Sequence, residues 1–397
     1  MKFLPEITVI GGCGHVGLPL SVMLAYKGKK VCALDINEEY IKKINNGRPP
    51  FIDVNLDKYL KIALGKNNFI ATNDISYIKE SEVLIIIIGT PVDEHLNPKF
   101  ANLKRLINDY FEYLRDNQLI VLRSTVYPGT SRMINELLIK KNLKIDLAFC
   151  PERISQGNSI KELTELPQII SSFTESGLKR SKELFSLLTS DIIELEPMEA
   201  ELAKLFTNVW RYINFSVANQ FYMIADDYGL DFYKIYDAMK SKYPRAKDFP
   251  KAGFTAGPCL FKDTMQLASF YKNNFFLGHA AMLINEGLPN FVVSKLKQNY
   301  DLKEKRIGIL GMTFKANSDD IRESLSFKLK KLLEIEAEEV YCSDYHLNFD
   351  YLVTEKELIE KSNIIVIATP HDKYKNLDFK GKKIYDIWNF INTKRII

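Results

Sequence analysis

The feature that most limits the possible folds is a glycine pattern that follows a short apolar segment. Residues 7–12 read ITVIGG, a strand-like run, and Gly12, Gly14 and Gly17 then follow with the spacing GxGxxG. Asp35 ends the next apolar segment, 18 residues after Gly17. In a strand–turn–helix unit such glycines allow a tight turn, close approach of the backbone to a pyrophosphate, and close helix packing. The pattern therefore predicts a Rossmann-type domain that binds a dinucleotide.

The residues around this motif predict which dinucleotide binds. His15 and Val16 lie where a helix begins, and the free N–H groups of a helix start favour phosphates. The carboxylate of Asp35 can accept hydrogen bonds from ribose hydroxyls and would repel a 2′-phosphate, which favours NAD over NADP. Thr90 and Thr125 end later strands, where they serve either as ligand contacts or as caps. The predicted NAD contacts are Gly12, Gly14, His15, Val16, Gly17, Asp35, Thr90 and Thr125; the alternative is a glycine-rich turn without a ligand.

Periodicity along the chain predicts an α/β protein with two sheets. Strand-like and helix-like segments alternate at the start and again at the end, which favours doubly wound parallel sheets. Between them, apolar residues recur every three or four positions from Leu202 to Ile224, as in a long amphipathic helix. We therefore expect two Rossmann-like domains joined by a long central helix in an all-helical middle domain. The predicted boundaries are 1–195 for the NAD domain, 196–300 for the helical domain and 301–397 for the second Rossmann-like domain.

Composition excludes several classes of partner. The net charge is +4 over 397 residues with both signs interleaved, so neither a nucleic acid nor a membrane surface is expected as a partner. The apolar run from Val83 is too short to span a bilayer, and Pro5 and Glu6 interrupt any signal-peptide core. The five cysteines are odd in number and scattered, which argues against disulfides and zinc and fits a reducing cytoplasm. The histidines show no metal-ligand spacing, so we expect no metal.

Motifs along nearly the whole chain resemble one known family. In order, they are GGCGHVGLPLS, LDIN, GTPVDE, RSTVYPGT, CPERISQG, ELAKLFTN, GPCLFKDT and GMTFKANSDDIRES. Together they resemble the UDP-glucose/GDP-mannose dehydrogenases, the nucleotide-sugar 6-dehydrogenases. The resemblance implies oxidation of the C6 alcohol of a nucleotide-linked hexose to a carboxylate, with two hydride transfers to NAD, for surface polysaccharide or glycan precursors. It also implies an N-terminal NAD domain, a C-terminal UDP domain and a helical middle that forms the core of a homodimer.

The resemblance also implies which residues carry the chemistry. Cys259 matches the nucleophile that forms a thiohemiacetal and then a thioester, and Lys204 and Asn208 match the pair that holds the reacting oxygen. Asp263 matches an aspartate near the attacking water, and Glu152 matches a proposed general base. The sequence leaves open which carboxylate activates the water. The implied catalytic set is Cys259, Lys204, Asn208, Asp263, Glu152 and Thr125, the last near the nicotinamide and the water.

Substrate contacts are implied in the same way. Lys315 and Arg322 match residues that contact the nucleotide sugar, and Arg245 matches an arginine that reaches into the site of a neighbouring subunit. The motif CPERISQG, with Arg153 after Glu152, is similar to that of the branch that acts on UDP-N-acetylhexosamines. The UDP-glucose branch more often has a phenylalanine–leucine pair at this place. The implied substrate contacts are Glu152, Lys204, Asn208, Arg245, Gly257, Lys315 and Arg322.

The loop before Cys259 departs from the family pattern. Phe254 and Ala256 occupy positions often held by glycine, and Pro258 directly precedes the cysteine. A stiffer and bulkier loop is expected to reshape the pocket around the sugar. UDP-glucose therefore stays open as the alternative substrate.

Local sequence alone gives plainer interpretations of several site residues. Lys204 and Asn208 are four apart and share a helix face, but such a lysine can simply extend into solvent. Glu152 and Asp263 can be surface charges. A lysine near Cys259, either Lys204 or Lys262 three residues on, would favour the thiolate. The remaining cysteines, Cys13, Cys32, Cys150 and Cys342, are read as buried packing thiols.

Two other functions compete with a four-electron enzyme. A two-electron 3-hydroxyacid or 6-phosphogluconate-type dehydrogenase also joins a Rossmann domain to a long helix, but it needs neither a nucleophilic cysteine nor a second Rossmann-like half. The alternative of another class is a non-catalytic protein that binds NAD or a nucleotide sugar, as a sensor or scaffold. It would have no need for Cys259, Lys204, Asn208 and Asp263 together.

Overall fold

The computed structural model describes residues 3–89, 101–255 and 257–391. The chain divides into two compact units, Met1–Thr207 and Asn208–Ile397. Within the described residues, no helix combines the length and the apolar character needed to cross a bilayer. The division into three domains stays a prediction, because residues 208–300 group with the C-terminal sheet in the second unit.

A six-stranded parallel sheet forms the centre of the first unit. Its strands are β1 (Ile7–Ile10), β2 (Val31–Leu34), β3 (Phe69–Thr72), β4 (Val83–Ile86), β5 (Leu119–Leu122) and β6 (Asp146–Phe149). Their order is β3-β2-β1-β4-β5-β6, which is the doubly wound order of dinucleotide-binding domains. The central strands β1 and β5 are fully buried, because helices cover both faces of the sheet. The carboxyl ends of these strands are thereby fixed along one edge.

Helices and one small sheet complete the first unit. The helices are α1 (Gly17–Tyr26), α2 (Glu38–Asn45), α3 (Leu56–Gly65), α4 (Tyr77–Glu80), α5 (Ala101–Asp109), α6 (Thr130–Lys140), α7 (Ser159–Glu165) and α8 (Glu175–Phe185). The small parallel sheet pairs β7 (Gln168–Ile170) with β8 (Ile192–Glu194). Helix α1 is buried almost along its whole length because it packs between β2 and α3. This packing fixes the start of α1 at the end of β1.

The long central helix is confirmed as α9 (Pro197–Asp227). It begins in the first unit and ends in the second. Its apolar residues divide into two groups: Leu205 and Val209 are buried, whereas Val217, Phe221 and Ile224 are exposed on the single chain. The periodicity therefore predicted the helix correctly, but part of the apolar stripe faces outward.

The second unit combines helices with a four-stranded parallel sheet. The helices are α10 (Phe232–Lys240), α11 (Leu260–Phe270), α12 (Phe276–Asn299), α13 (Leu325–Glu336) and α14 (Glu355–Lys361). The strands are β9 (Arg306–Leu310), β10 (Glu339–Ser343), β11 (Ile364–Ile367) and β12 (Lys383–Tyr385), in the order β10-β9-β11-β12. Short 3₁₀ helices lie at Phe111–Tyr113, Pro244–Ala246, Leu302–Glu304 and Asp372–Asn376. The predicted fold class, two Rossmann-like parallel sheets with a long central helix, is confirmed.

Candidate active site

The glycine motif forms a tight turn between β1 and α1. A Cβ atom on Gly12 would lie 2.6 Å from the carbonyl oxygen of Val9, and one on Gly17 would lie 2.2 Å from the carbonyl oxygen of Gly11. A Cβ on Gly14 would meet only the oxygen of Gly11, at 3.8 Å. Gly12 and Gly17 are therefore required by packing, whereas Gly14 borders open space. That arrangement fits the close approach of a pyrophosphate to the backbone.

Gly11 is a required residue that the GxGxxG spacing does not identify. Its φ is +78°, and a Cβ there would lie 1.9 Å from the carbonyl oxygen of Ile87. A side chain at this position would therefore clash with the chain just after β4 and adopt a strained backbone conformation. The doubled glycine in ITVIGG was the available signal.

Asp35 lies beside the same turn, directly after β2. Its Oδ2 accepts a hydrogen bond from the backbone N–H of Cys13 at 3.0 Å, and its Oδ1 accepts one from Asn37 N–H at 3.1 Å. A carboxylate held next to the phosphate loop is placed as expected for a ribose contact. Val16 is the N-cap residue of α1, and the ring of His15 lies 4.1 Å from that of Phe51. The predicted contact Thr90 lies outside the described residues.

Thr125 is half-buried in the loop that follows β5, and Glu201 anchors that loop. Glu201 is 1% exposed; its Oε2 accepts from Gly129 N–H at 2.5 Å and its Oε1 from Ser131 N–H at 2.8 Å. Both donors lie at the start of α6, where an anion is favoured. Burial raises the pKa of Glu201, although these hydrogen bonds oppose the rise. The local sequence ELAK gave no sign of this role, because the two partners are 70 or more residues away.

Glu152 is held in a buried ion pair with Arg123. The Oε2 of Glu152 accepts from Nε of Arg123 at 3.0 Å and from Nη2 at 2.5 Å, and its Oε1 accepts from the N–H groups of Arg153 and Ile154. The Arg123 side chain is fully buried, and its guanidinium lies 4.5 Å from the centroid of the Phe185 ring. Both oxygens of Glu152 are thus occupied by donors. Glu152 is therefore a buried, ion-paired side chain rather than one on the surface.

Arg153 makes its described contact within the first unit. Its guanidinium donates to the carbonyl oxygen of Pro167, and burial lowers the pKa of the half-buried side chain. The contact ties the segment after β6 to the start of β7. The residue that indicated the N-acetylhexosamine branch therefore also has a local packing role.

Lys204 and Asn208 occupy successive turns of α9, on either side of the boundary between the two units. Lys204 is 9% exposed and Asn208 is 4% exposed. The interpretation of Lys204 as a solvated lysine is therefore wrong. A lysine and an amide on one buried helix face can supply charged and neutral donors to a reacting oxygen.

Cys259, Asp263 and Asn208 form the central cluster of the second unit. Cys259 is the N-cap residue of α11 and is exposed, whereas Asp263 in the first turn of the same helix is fully buried. The Nδ2 of Asn208 donates to Oδ2 of Asp263 at 2.6 Å, and Lys262 Nζ lies 3.0 Å from Oδ1. The thiol thus lies at a helix start, where an anion is stabilised, one turn from a carboxylate that orients an amide.

Three predicted substrate contacts lie on exposed or half-buried segments of the second unit. Lys315 is half-buried after β9. Arg322 is exposed and forms an ion pair with the carboxylate of Asp320, in which its Nη2 lies 2.6 Å from Oδ2. Arg245 lies in an exposed 3₁₀ turn, where its Nε donates to the hydroxyl of Tyr243 at 2.9 Å. Basic groups on accessible segments are suited to bind phosphates.

The loop before Cys259 does not present its bulky residue to the thiol. Phe254 is 3% exposed and belongs to the hydrophobic core of the second unit, together with Phe232 and Val292. Gly257 has a φ of +110°, and a Cβ there would lie 2.8 Å from the ring of Phe314. The position of the Phe254 side chain in the core therefore does not support the expectation that it makes the sugar pocket narrower. Ala256 is outside the described residues.

Among residues 3–89, 101–255 and 257–391, no group of three or more His, Cys, Asp or Glu side chains is arranged to hold a metal ion.

Known proteins match this chain along nearly its whole length. Residues 5–189 match the NAD binding domain of the UDP-glucose/GDP-mannose dehydrogenase family, residues 198–286 match its central domain and residues 308–393 match its UDP binding domain. The chain belongs to this family. It is accordingly an NAD-dependent oxidoreductase that acts on a nucleotide sugar, as the motifs predicted. The open backbone at Gly14 and the placement of Asp35 fit that cofactor.

Individual relatives point to one branch of the family. The UDP-N-acetyl-D-mannosamine dehydrogenase of Pyrococcus horikoshii is 31% identical over 381 residues, covering 93% of this chain and 90% of that protein. The enzyme of the same name from Methanocaldococcus jannaschii is 32% identical, covering 98% and 93%. The solved structure of a UDP-D-ManNAc dehydrogenase from P. horikoshii superimposes with a TM-score of 0.89 at 28% identity, covering 97% of this chain and 99% of the other. These similarities support the UDP-N-acetylhexosamine branch.

Proposed function

We propose that the protein oxidises the C6 alcohol of a UDP-N-acetylhexosamine to the uronic acid in two steps, with Cys259 as nucleophile. The observation that carries this proposal is the exposed thiol at the start of α11, one turn from the buried pair Asp263–Asn208. A dehydrogenase that stops at the aldehyde needs no such thiol. Among these sugars, UDP-N-acetyl-D-mannosamine is our first choice, because the Pyrococcus and Methanocaldococcus relatives are named for it.

Two NAD molecules, bound one after the other, would each accept one hydride. In the proposed reaction, the first oxidation converts the alcohol to an aldehyde. The Cys259 thiolate then adds to the aldehyde carbon and forms a thiohemiacetal, whose oxidation gives a thioester. Water hydrolyses the thioester, releasing the carboxylate and restoring the thiol. The start of α11 favours the thiolate, because the helix dipole stabilises an anion there.

Asn208 and Lys204 have the chemistry to hold the reacting oxygen. One N–H of the Asn208 amide donates to Asp263, which fixes the orientation of the amide and leaves its second N–H for the oxygen. The buried ammonium of Lys204 would stabilise negative charge that develops on the same atom. Removal of one such donor typically lowers kcat about 10²- to 10³-fold.

Of the two candidate carboxylates, we favour Asp263 as the group that orients the hydrolytic water. Both oxygens of Glu152 are occupied by Arg123 and two backbone N–H groups, so it has little capacity left for a water. Among the described residues, Oδ1 of Asp263 makes no aligned hydrogen bond, although Lys262 Nζ lies 3.0 Å away. A buried acceptor of this kind gains from binding a water. Glu152 then acts by holding the end of β6 in place.

We also propose that the protein is a homodimer and works in the cytoplasm. Trp210, Val217, Phe221 and Ile224 form an exposed apolar row on α9, which we call the α9 stripe. Their spacings of seven, four and three place them on one helix face, as in a helix that packs against another. Five free cysteines fit a reducing compartment.

The test is the stoichiometry of NADH formation with a panel of nucleotide sugars. The panel contains UDP-N-acetylmannosamine, UDP-N-acetylglucosamine, UDP-N-acetylgalactosamine and UDP-glucose. Two NADH per uronic acid with an N-acetylhexosamine supports the proposal, and preference for UDP-glucose would contradict the choice of sugar. One NADH per sugar, or none with any member, would contradict the four-electron reaction.

A cysteine variant tests the mechanism separately. Cys259→Ser should abolish uronic acid formation and leave NAD binding unchanged, with Cys150→Ser, a fully buried thiol, as the matched control. Uronic acid formation at the parental rate by Cys259→Ser would show that Cys259 is not the nucleophile.

A further inference from the structure

Two aromatic rings pack against the loop that leads to Cys259. We define the nucleophile loop as residues 251–258, of which Ala256 lies outside the described residues. A Cβ on Gly253 would lie 2.4 Å from Cε3 and Cζ3 of Trp388, so the indole lies directly against this glycine. A Cβ on Gly257 would lie 2.8 Å from the ring of Phe314. Both rings belong to the part of the chain that matches the UDP binding domain, residues 308–393.

Trp388 is itself held firmly in place. Its Nε1 donates to the carbonyl oxygen of Ala368, just after β11, at 3.0 Å. The Oδ2 of Asp386 accepts from the N–H groups of Phe390 at 2.7 Å and Ile391 at 3.0 Å, which closes a turn around Trp388. The indole is therefore oriented by its own hydrogen bond and by the turn that carries it.

A tyrosine joins the same two segments. The hydroxyl of Tyr233 donates to the carbonyl oxygen of Ile387 and lies 3.4 Å from that of Ala252. Ile387 and Ala252 directly precede Trp388 and Gly253, and both are fully buried. The contact between the Trp388 ring and Gly253 is thus supported by the Tyr233 hydroxyl, which bridges the residues that precede them.

The opposite side of Gly253 is fixed by a buried amide network. The N–H of Gly253 donates to Oδ1 of Asn219 at 2.8 Å, and Nδ2 of Asn219 donates to Oδ1 of Asn285 at 2.9 Å. Asn285 in turn donates to the carbonyl oxygen of Tyr212 at 3.0 Å. Asn219 and Asn285 are both fully buried. Gly253 is therefore held between this network on α9 and α12 and the Trp388 indole.

From this arrangement we infer that Trp388 is a positioning residue for Cys259. Its ring fixes Gly253, and thereby the path by which the nucleophile loop delivers the thiol to the start of α11. The inference rests on the proposed role of Cys259 as nucleophile. It adds a function for the segment after β12. A displacement of about 1 Å in a reacting group can cost about 100-fold in rate.

A double-mutant cycle tests the contact. Gly253→Ala places a methyl group against the indole, and Trp388→Leu removes the indole. If the contact positions the thiol, Gly253→Ala lowers uronic acid formation about 10- to 100-fold in the parent. It costs much less in the Trp388→Leu background, where the methyl group has room. Any backbone strain from alanine at residue 253 occurs in both backgrounds and cancels in the cycle. Additive effects would overturn the inference.

Two readouts separate positioning from general damage. Trp388→Leu should leave the first hydride step and the NAD Kd unchanged, so an aldehyde accumulates that can be trapped with hydroxylamine, while the step that needs the thiol slows about 10- to 100-fold. Alkylation of Cys259 by iodoacetamide should slow about two- to fivefold, which corresponds to the stabilisation that a helix start gives to an anion. Equal loss of both hydride steps, or unchanged alkylation, would overturn the inference.

The controls keep the result interpretable. Phe349→Leu removes a ring of the same unit that stacks on Tyr351, and it should change neither readout. If Trp388→Leu does not fold, Trp388→Phe replaces it in the cycle, since it retains a smaller ring and loses the hydrogen bond to Ala368. If no nucleotide sugar is oxidised, the proposed function fails. The same double-mutant cycle, measured by the rate at which iodoacetamide alkylates Cys259, still decides whether Trp388 positions Cys259.

Discussion

At the scale of single residues, burial separates Cys259 from the other four thiols. Cys13, Cys32, Cys150 and Cys342 are buried, whereas Cys259 is exposed at a helix start. Burial raises the pKa of Cys32 and Cys342 to about 12 and that of Cys150 to about 11, and it raises the pKa of Cys13 further. At neutral pH these four remain protonated, so only Cys259 combines access with a site that favours the thiolate.

We therefore expect iodoacetamide, at one equivalent and pH 7.5, to label Cys259 alone. Peptide mass spectrometry after a short incubation measures the labelled positions. Cys259→Ser should take up no label under the same conditions, and uridine diphosphate with NAD provides a protected sample for comparison. Label on any of the four buried thiols before Cys259 would contradict this expectation.

Asp344 gives a pH-dependent contribution to stability. Burial alone would raise its pKa, but the hydrogen bond and charge of His371, together with the N–H groups of His346 and Met312, outweigh burial and hold the pKa below its ordinary value. A carboxyl group with a depressed folded-state pKa stabilises the fold above its unfolded pKa of about 3.9. This contribution is lost as the pH falls through the folded-state pKa.

Asp344→Asn should consequently be less stable than the parent at pH 7, by about 1–3 kcal/mol, since a buried charged acceptor is lost. The gap in free energy of unfolding should stay constant down to about pH 4.5 and then shrink as the pH falls below about 4. Urea titrations at pH 7, 5, 4 and 3 measure the gap. Asp350→Asn, at an exposed position, is the matched control. A gap that does not shrink in acid would exclude Asp344 as the source.

At the scale of elements, the sequence predicted what depends on neighbouring residues and missed what depends on distant ones. The apolar runs of β1 and β4 and the glycines before α1 gave the first sheet, because a buried parallel strand and its turn are local patterns. Glu201 and Trp388 gave no signal, because their partners Gly129 and Gly253 are far away in the sequence. The core position of Phe254 is hidden for the same reason, since only the folded chain shows that a loop side chain enters the core.

Two glycines, one constrained by a distant ring and one not, allow the effect of such a contact on stability to be measured. Gly257 has a φ of +110° and faces the ring of Phe314, whereas Gly287 lies inside α12, where an added methyl group would meet no atom within 4 Å. Gly257→Ala should lower the free energy of unfolding of the second unit by about 1–3 kcal/mol through strain and reduce uronic acid formation. Gly287→Ala should raise it by up to about 1 kcal/mol through helix propensity. The urea unfolding midpoints of the two variants measure these changes. Equal shifts of the midpoint in both variants would contradict the assigned packing.

At the scale of the whole molecule, the α9 stripe is the feature that a single chain leaves unexplained. Trp210 is 65% exposed, Ile224 48%, Phe221 42% and Val217 37%, all on one face. A contiguous apolar row of this length on a helix is typical of an interface rather than of a free surface. Full burial of each such side chain contributes about 1.5–3 kcal/mol, so pairing with a second copy would stabilise the helix appreciably.

We expect the protein to elute as a dimer, with a mass near twice 45.7 kDa by light scattering, and Ile224→Glu to shift it toward the monomer. A charge within a paired apolar face must be desolvated without a partner, which opposes association. Ile335→Glu is the matched control, since Ile335 is 77% exposed on α13, outside the stripe. Dilution should dissociate the Ile224→Glu protein at concentrations where the parent and the control remain dimeric. A monomeric parent, or a variant that stays dimeric throughout, would show that the stripe does not hold two copies together.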